Sequence, residues 1–335
     1  MREVRISLVG YGVVGHGVVD VISRKRKMLR ELGLDLKLVS ITDHTGTLVE
    51  EDGISGEKVL GHRTLQEIAN SEMSAKETIR SVNSELVVEV TPTNIVHGQP
   101  GLGHMEEALA SGKHVVTSNK GPLVVAYNRL KRLADDNGVM LKFEATVGGT
   151  MPLINLIERT LVGNTILGIR GIFNGTCNYI LTRMADEQYP FSRALAEAQE
   201  LGYAEADPTY DIEGVDTAAK IVILANAIFN MNVKYNDVQV RGITEITPEA
   251  LALAKKHGYV IKLIGEVPAL TVRPMLVPIR SPLAVGSTLN AAAIYTDLSG
   301  TITVTGLGAG GVETAAAILS DIVSIYRTKR VDAIF

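Results

Sequence analysis

Val4-Arg5-Ile6-Ser7-Leu8-Val9-Gly10-Tyr11-Gly12-Val13-Val14-Gly15 is the stretch that decides the fold. Residues 4–10 (VRISLVG) form a short apolar run of the kind that makes a strand buried on both faces. From Val13 to Leu32 the apolar residues recur at helical spacing, with Arg24-Lys25-Arg26-Lys27 as a solvated face. Between strand and helix, Gly10, Gly12 and Gly15 fit G-x-G-x-x-G, and this context makes a weak motif informative. The first glycine makes the turn, the second lets backbone approach a pyrophosphate, and the third lets helix pack on strand. Tyr11, Val13 and Val14 fill the intervening positions, and the N–H groups that open the helix face the anion. The stretch therefore predicts a bound dinucleotide.

Outward from it, strands are expected at 36–42, 85–91, 113–118 and 140–147, with helices between them, notably at 104–111 and 122–136. Strand alternating with helix predicts an α/β, Rossmann-type doubly wound parallel sheet over residues 1–148. After Gly148-Gly149 the rhythm changes to helices near 152–162, 178–201 and 215–230, then mostly strands from 233 to 306. That pattern predicts a second, α+β domain at 149–306. The closing helical stretch, Glu313 to Arg327, follows the glycine-rich turn at 306–311 and is expected, within 307–335, to return to the nucleotide domain.

The 335 residues leave room for two domains, and 46% hydrophobic against 21% charged residues excludes a disordered chain. Thirty-three basic and thirty-seven acidic residues give −4, which supplies no field for nucleic acid or an anionic membrane, so small molecules are the expected partners. The lone Cys177 excludes an intramolecular disulfide and a multi-cysteine zinc site, and fits a reducing cytoplasm. No signal peptide is expected, and the longest apolar run, Ile221 to Phe229, contains Asn226 and is too short to span a membrane.

The acid that binds the adenosine ribose should end the second strand. Asp35 has the usual spacing but precedes that strand; Asp43 ends LKLVSITD and is better placed. A carboxylate there repels a 2′-phosphate, and His44 and Thr45 offer no arginine fork, so the sequence leans to NAD over NADP, with Lys58 or Arg63 able to reverse it. Thr91-Pro92-Thr93-Asn94, Ser118-Asn119-Lys120 and Glu144 to Gly149 follow predicted strands and should meet the nicotinamide end. Lys120 alone also reads as a surface lysine, because Gly121-Pro122 makes an ordinary helix start.

Glu205, Asp207, Asp211, Glu213 and Asp216 crowd a segment without Lys or Arg. Unless all are solvated, something cationic should compensate them. Lys220, at i+4 from Asp216, sits on a helix that is apolar on every side, so it must be paired or perturbed. Taking an alcohol proton near neutral pH would want a lysine pKa of about 7–8, a fall that Asp216 opposes. Either burial outweighs the carboxylate, or the proton is relayed through water, or the lysine stays charged and orients the oxygen. The surplus carboxylates point to a substrate bearing an ammonium group, such as an amino acid. A divalent metal competes less well, since the spacing does not match an EF-hand loop.

These segments, GYGVVG at 10–15, VVTSNKGP at 115–122, FEATVGGTMP at 143–152, FNGTCNYIL at 173–181 and GYAEADPTYDIEGVDTAAK at 202–220, resemble the homoserine dehydrogenase family over essentially the whole chain. The resemblance implies reversible NAD(P)-dependent oxidation of L-homoserine to L-aspartate 4-semialdehyde on the route to threonine and methionine, and a homodimer built on the second domain. It implies Lys220 as catalytic lysine and Lys120 as a second lysine near cofactor and substrate. Gly202, Glu205 and Asp216 take homoserine-contacting positions, with Asp211 in support. Glu144 with the carbonyls of Val147, Gly149 and Met151 looks like the family's monovalent-cation site, usually sodium. The 306–311 turn resembles a second cofactor-side glycine loop, through Gly308. Two departures stand out: many members have threonine where Cys177 stands, and the chain leaves no room for the C-terminal ligand-sensing domain of longer members, so threonine feedback through it is not expected. The competing readings are another amino-acid or semialdehyde dehydrogenase, including one forming a thioester on Cys177, and a non-catalytic NAD-binding protein.

Overall fold

Burial on both faces explains the opening apolar run. In β1 (Arg2–Val9) the side chains of Val4, Ile6 and Leu8 are all fully buried, and cutting one back to alanine would cost about 2–5 kcal/mol. The computed structural model describes residues 1–327, and the chain divides into one unit of Met1–Thr146 with the segment from Gly310 onward, and another of Val147–Ala309. Residues 328–335, the tail of the expected 307–335 segment, lie outside the described residues.

The first unit is built on a six-stranded sheet in the order β3-β2-β1-β4-β5-β6, with β2 Leu34–Asp43, β3 Gly46–Val49, β4 Leu86–Glu89, β5 His114–Thr117 and β6 Leu141–Lys142. β2, β1, β4, β5 and β6 run parallel. The strand order reverses between β1 and β4, so the carboxyl ends of those two strands flank the crevice where such sheets bind ligands.

Two expectations are corrected here. The sheet is not wholly parallel: β3 folds back antiparallel on β2, because the Asp43 carboxylate accepts hydrogen bonds from the Thr45 N–H and hydroxyl, both at 2.6 Å, and closes a tight turn. The strand expected at 140–147 ends at Lys142. There Thr146 donates to the Phe143 carbonyl and the Glu144 N–H to Asp321 Oδ2 at 2.8 Å, which winds Glu144–Thr146 into a 3₁₀ turn. Helix Gly311–Tyr326 sets Ala315, Ile318, Ile322 and Ile325 into the same apolar cluster as Val18, Val19 and Ile22 of helix Val13–Glu31. Gly17 permits that approach, since a Cβ there would lie 2.4 Å from the Gly311 carbonyl oxygen.

The second unit carries a sheet in the order β12-β11-β7-β9-β10-β8, antiparallel throughout except between β10 and β8. Its strands are β7 Ile166–Ile172, β8 Gln239–Val240, β9 Tyr259–Val267, β10 Thr271–Pro278, β11 Leu289–Thr296 and β12 Thr301–Leu307. The single helix expected at 178–201 is two, Gly175–Glu187 and Phe191–Glu200, because Gln188 takes a left-handed conformation (φ 54°) and Pro190 precedes the second. Within the stretch read as mostly strand lies helix Pro248–Lys256, capped by the Thr247 side chain and opened by Pro248. Among the described residues no helix is long and apolar enough to cross a membrane.

Candidate functional site

The glycine turn after β1 puts its three glycines in three different settings. Gly10 is left-handed (φ 107°), and a Cβ there would meet the Val90 carbonyl oxygen at 2.7 Å. A Cβ on Gly15 would lie 2.3 Å from the Gly10 carbonyl oxygen, so this glycine packs the helix against the turn. At Gly12 a Cβ would meet nothing within 4 Å, leaving the protein open on the side where a pyrophosphate approaches. No side chain caps helix Val13–Glu31, and no acid stands in its first turn. Val13 is exposed and Val14 half-buried at that end. These features fit a dinucleotide.

Tyr11 is turned inward: its hydroxyl donates to the Val59 carbonyl at 2.7 Å, its ring stacks on His16 at 3.9 Å, and burial with the Asp43 charge pushes its pKa up to about 12. Asp43 ends β2 as expected, with Oδ1 holding Thr45 and Oδ2 accepting from the Leu65 N–H at 3.2 Å. Asp35 instead pairs with Arg26 and Arg30. Lys58 pairs with Glu50, and Arg63 is exposed.

Beyond β4 and β5 lie Thr91, Pro92, Ser118 and Lys120. Asn119 caps helix Lys120–Asp136 by accepting from the Gly121 N–H at 3.1 Å, which places Lys120 at its first position. A cleft of about 370 Å³ lined by Ser23, Arg26, Lys37 and Glu57 contains none of the expected site residues.

In the second unit two residues of the acidic segment, Asp211 and Asp216, gather with Lys220 around Asn174. Lys220 and Asp216 lie on helix Val215–Phe229, each almost wholly buried. The Lys220 ammonium donates to Asp216 Oδ2 at 2.6 Å and to the Phe173 carbonyl at 2.5 Å. Asn174 Nδ2 donates to the same Asp216 oxygen at 3.0 Å and to Asp211 Oδ1 at 2.7 Å, while its Oδ1 caps helix Gly175–Glu187. Burial first, and then the Asp216 charge, hold the Asp211 carboxyl above the ordinary carboxylate range. Of the sequence's alternatives for Lys220, pairing is what the structure brings together.

Cys177 sits beneath this group, fully buried, with Sγ donating to the Asp211 carbonyl at 3.1 Å. Burial and the neighbouring carboxylates push its thiol well up, which is the wrong direction for a nucleophile and counts against a thioester mechanism.

Glu205 and Gly202 lie exposed on the preceding loop, and no hydrogen bond joins their side to Lys220 among the described residues; the loop is tied in where Thr176 Oγ1 donates to the Tyr203 carbonyl at 2.7 Å. Gly202 is left-handed (φ 73°) with open space around it. The residue that sequence reasoning left unassigned here is Asn174. Its signal was an asparagine standing directly before a helical run.

Val147 and Met151 are fully buried, Gly148 and Gly149 are left-handed (φ 86° and 60°), and the Met151 carbonyl accepts from the Leu153 N–H at 2.8 Å. Glu144, in the first unit, is buried. Gly308 accommodates the Asn290 side chain, whose nitrogen would lie 2.2 Å from a Cβ there. Among the described residues no group of three or more His, Cys, Asp and Glu could hold a metal ion.

Comparison with known proteins covers both units. The model of the homoserine dehydrogenase NAD-binding domain matches residues 10–144, and that of homoserine dehydrogenase matches 152–323. A homoserine dehydrogenase of Methanocaldococcus jannaschii is 50% identical over 333 residues, covering 97% of this chain and 99% of the relative. The crystal structure of a putative homoserine dehydrogenase from Archaeoglobus fulgidus superposes with a TM-score of 0.90 at 46% identity, over 96% of this chain and 99% of that one. A hyperthermophilic archaeal homoserine dehydrogenase mutant in complex with NADPH matches with a TM-score of 0.84 at 28% identity, over 98% of this chain and 99% of that one.

Proposed function

The chain belongs to the homoserine dehydrogenase family, and we propose how its own residues divide the work of that reaction. It is an NAD(P)-dependent oxidoreductase that interconverts L-homoserine and L-aspartate 4-semialdehyde in the biosynthesis of threonine and methionine. When bound, the dinucleotide supplies nicotinamide C4 as the acceptor for the hydride from the terminal carbon of homoserine; the protein orients the reactants and manages the proton.

The observation that carries the reading is the buried Lys220–Asp216–Asn174 group. Two of the three Lys220 N–H groups are committed to Asp216 and the Phe173 carbonyl, which fixes the ammonium and leaves one donor for the substrate's hydroxyl oxygen. In semialdehyde reduction that third N–H gives its proton to the carbonyl oxygen as the hydride arrives, leaving a neutral amine; in homoserine oxidation the neutral amine takes the hydroxyl proton and becomes the ammonium, with Lys120 assisting. Asp216, Glu205 and the Gly202 backbone hold the amino-acid end, and Asp211 supports them through Asn174. The glycine turn holds the pyrophosphate, with Thr91, Pro92, Ser118 and Gly308 on the cofactor's side. Asp43 ends β2 where a ribose hydroxyl would bind, which favours NAD over NADP.

For Glu144 and the carbonyls of Val147, Gly149 and Met151 we propose the role of ligands to a monovalent cation such as sodium, since one carboxylate with neutral carbonyls is a hard, singly charged donor set. That ion would be structural. The enzyme works in the cytoplasm as a homodimer through its second unit.

The test is purified protein with L-homoserine and either NAD or NADP, followed by absorbance of the reduced cofactor. Turnover with both and a higher kcat/KM with NAD is expected. No absorbance change with either would end the assignment.

A further inference from the structure

Glu89 is the last residue of β4 and is fully buried, yet among the described residues neither Lys nor Arg pairs with it; only His104 Nδ1, at 3.6 Å, comes within ion-pair distance. A buried carboxylate in that position is costly unless hydrogen-bond donors surround it. The donors that do so come from the loops at the carboxyl edge of the sheet. Glu89 Oε1 accepts from the Thr91 N–H at 3.1 Å and from the Thr91 hydroxyl, while the Thr117 hydroxyl donates to the Glu89 carbonyl at 2.8 Å with Oε2 next at 3.3 Å. Thr117 Oγ1 accepts in turn from the Asn119 N–H at 2.9 Å, and the Asn119 amide donates back to Thr91 Oγ1 at 3.3 Å and the Pro92 carbonyl at 3.4 Å. The ring closes on the cap of helix Lys120–Asp136. Gly101 makes the space, since a Cβ there would fall 2.4 Å from Asn119 Nδ2 and 3.1 Å from Glu89 Oε2.

We propose that Glu89 is a positioning residue for the nicotinamide half of the dinucleotide: through Thr91, Thr117 and Asn119 its buried carboxylate sets the loops after β4 and β5, and with them the start of the Lys120 helix. The proposal rests on the cofactor reading above. It adds that these two loops are held by one glutamate, through its carboxylate and its carbonyl, which neither adenosine nor pyrophosphate recognition requires. Hydrogen bonds at low dielectric are stronger than in water, so this group of bonds favours one geometry of the two loops.

The experiment compares NADH with ADP-ribose, which lacks the nicotinamide, by equilibrium binding to the parent, Glu89→Ala, Glu89→Gln and Thr117→Val. Glu89→Ala should weaken NADH by about tenfold or more and leave ADP-ribose within about threefold, because charge-assisted hydrogen bonds to the loops are lost. Glu89→Gln keeps an oxygen for Thr91 and offers an N–H to Thr117 Oγ1, so it should restore NADH binding to within about threefold of the parent. Thr117→Val, which keeps the β-branched strand residue, should show the selective NADH loss even if the alanine variant fails to fold. Parent-like NADH binding by Glu89→Ala, or by Thr117→Val where the alanine variant does not fold, overturns the proposal, as does an equal loss of both molecules. A parent that binds neither overturns the cofactor reading and the proposal with it.

Discussion

Gly12 and Gly15 are three residues apart, and the structure assigns a methyl group opposite consequences at the two. Gly12 has φ −88° and ψ −156°, which alanine adopts without strain, and its Cβ would meet nothing within 4 Å. Gly12→Ala should therefore leave the fold intact and stabilise it by about 0.4–1 kcal/mol, because the unfolded chain loses freedom. The same methyl occupies the approach of the pyrophosphate. Losing one charge-assisted N–H contact, worth about 1.5–3 kcal/mol, corresponds to roughly tenfold to a hundredfold weaker dinucleotide binding. At Gly15 the Cβ would lie 2.3 Å from a backbone oxygen where ordinary contact begins near 3.4 Å, so the turn must open by about an ångström. Overpacking of about 1–3 kcal/mol then outweighs the gain of about 1 kcal/mol in helix propensity, and Gly15→Ala is destabilised by up to about 2 kcal/mol. Thermal unfolding and titration of NADH fluorescence read the two effects separately. A Gly12→Ala protein that binds NADH as tightly as the parent, or that unfolds below Gly15→Ala, would refute the reasoning.

Two further outcomes follow from buried groups. Burial brings the Lys262 amine from 10.5 down to about 8, with Asp186 opposing, while it donates to Asn178 Oδ1 at 2.7 Å and Thr182 Oγ1 at 3.2 Å. The folded pKa lies below the unfolded one, so Lys262 stabilises fully above 10.5 and that contribution is lost as pH falls to about 8. The advantage of Lys262→Met over the parent in unfolding free energy should shrink by about 3 kcal/mol between about pH 7 and pH 10.5, and a pH-independent difference would contradict this. Cys177→Ser should retain kcat to within about threefold, since a buried thiol with a raised pKa attacks nothing; abolished turnover with intact folding would reinstate the thioester reading.

The nucleotide-binding unit was readable because its signals are local: a strand buried on both faces, two glycines with separate steric duties flanking an open one, and a helix entered without a cap. Lys220 was readable for a related reason, since an isolated cation on an otherwise apolar helix demands a partner, and Asp216 one turn earlier is that partner. Hidden were features created by distant side chains. β3 exists because Asp43 turns the chain on Thr45, and the end of β6 depends on Asp321 of the last helix reaching the Glu144 N–H. Helix Pro248–Lys256 carried its start signal in Thr247-Pro248 but is short and stands among strands. Glu89 falls inside the strand expected at 85–91, and only the fold ends β4 there and wraps Thr91, Thr117 and Asn119 around it.

Everything assigned to the chemistry turns on the amine of residue 220, and single-site removal with binding and turnover measured on the same preparation addresses it most directly. Lys220→Ala should bind NADH like the parent while kcat for L-homoserine oxidation drops roughly a hundredfold to ten-thousandfold, the range expected for loss of a proton-transfer group. An alanine variant that folds and turns over as fast as the parent would contradict the account.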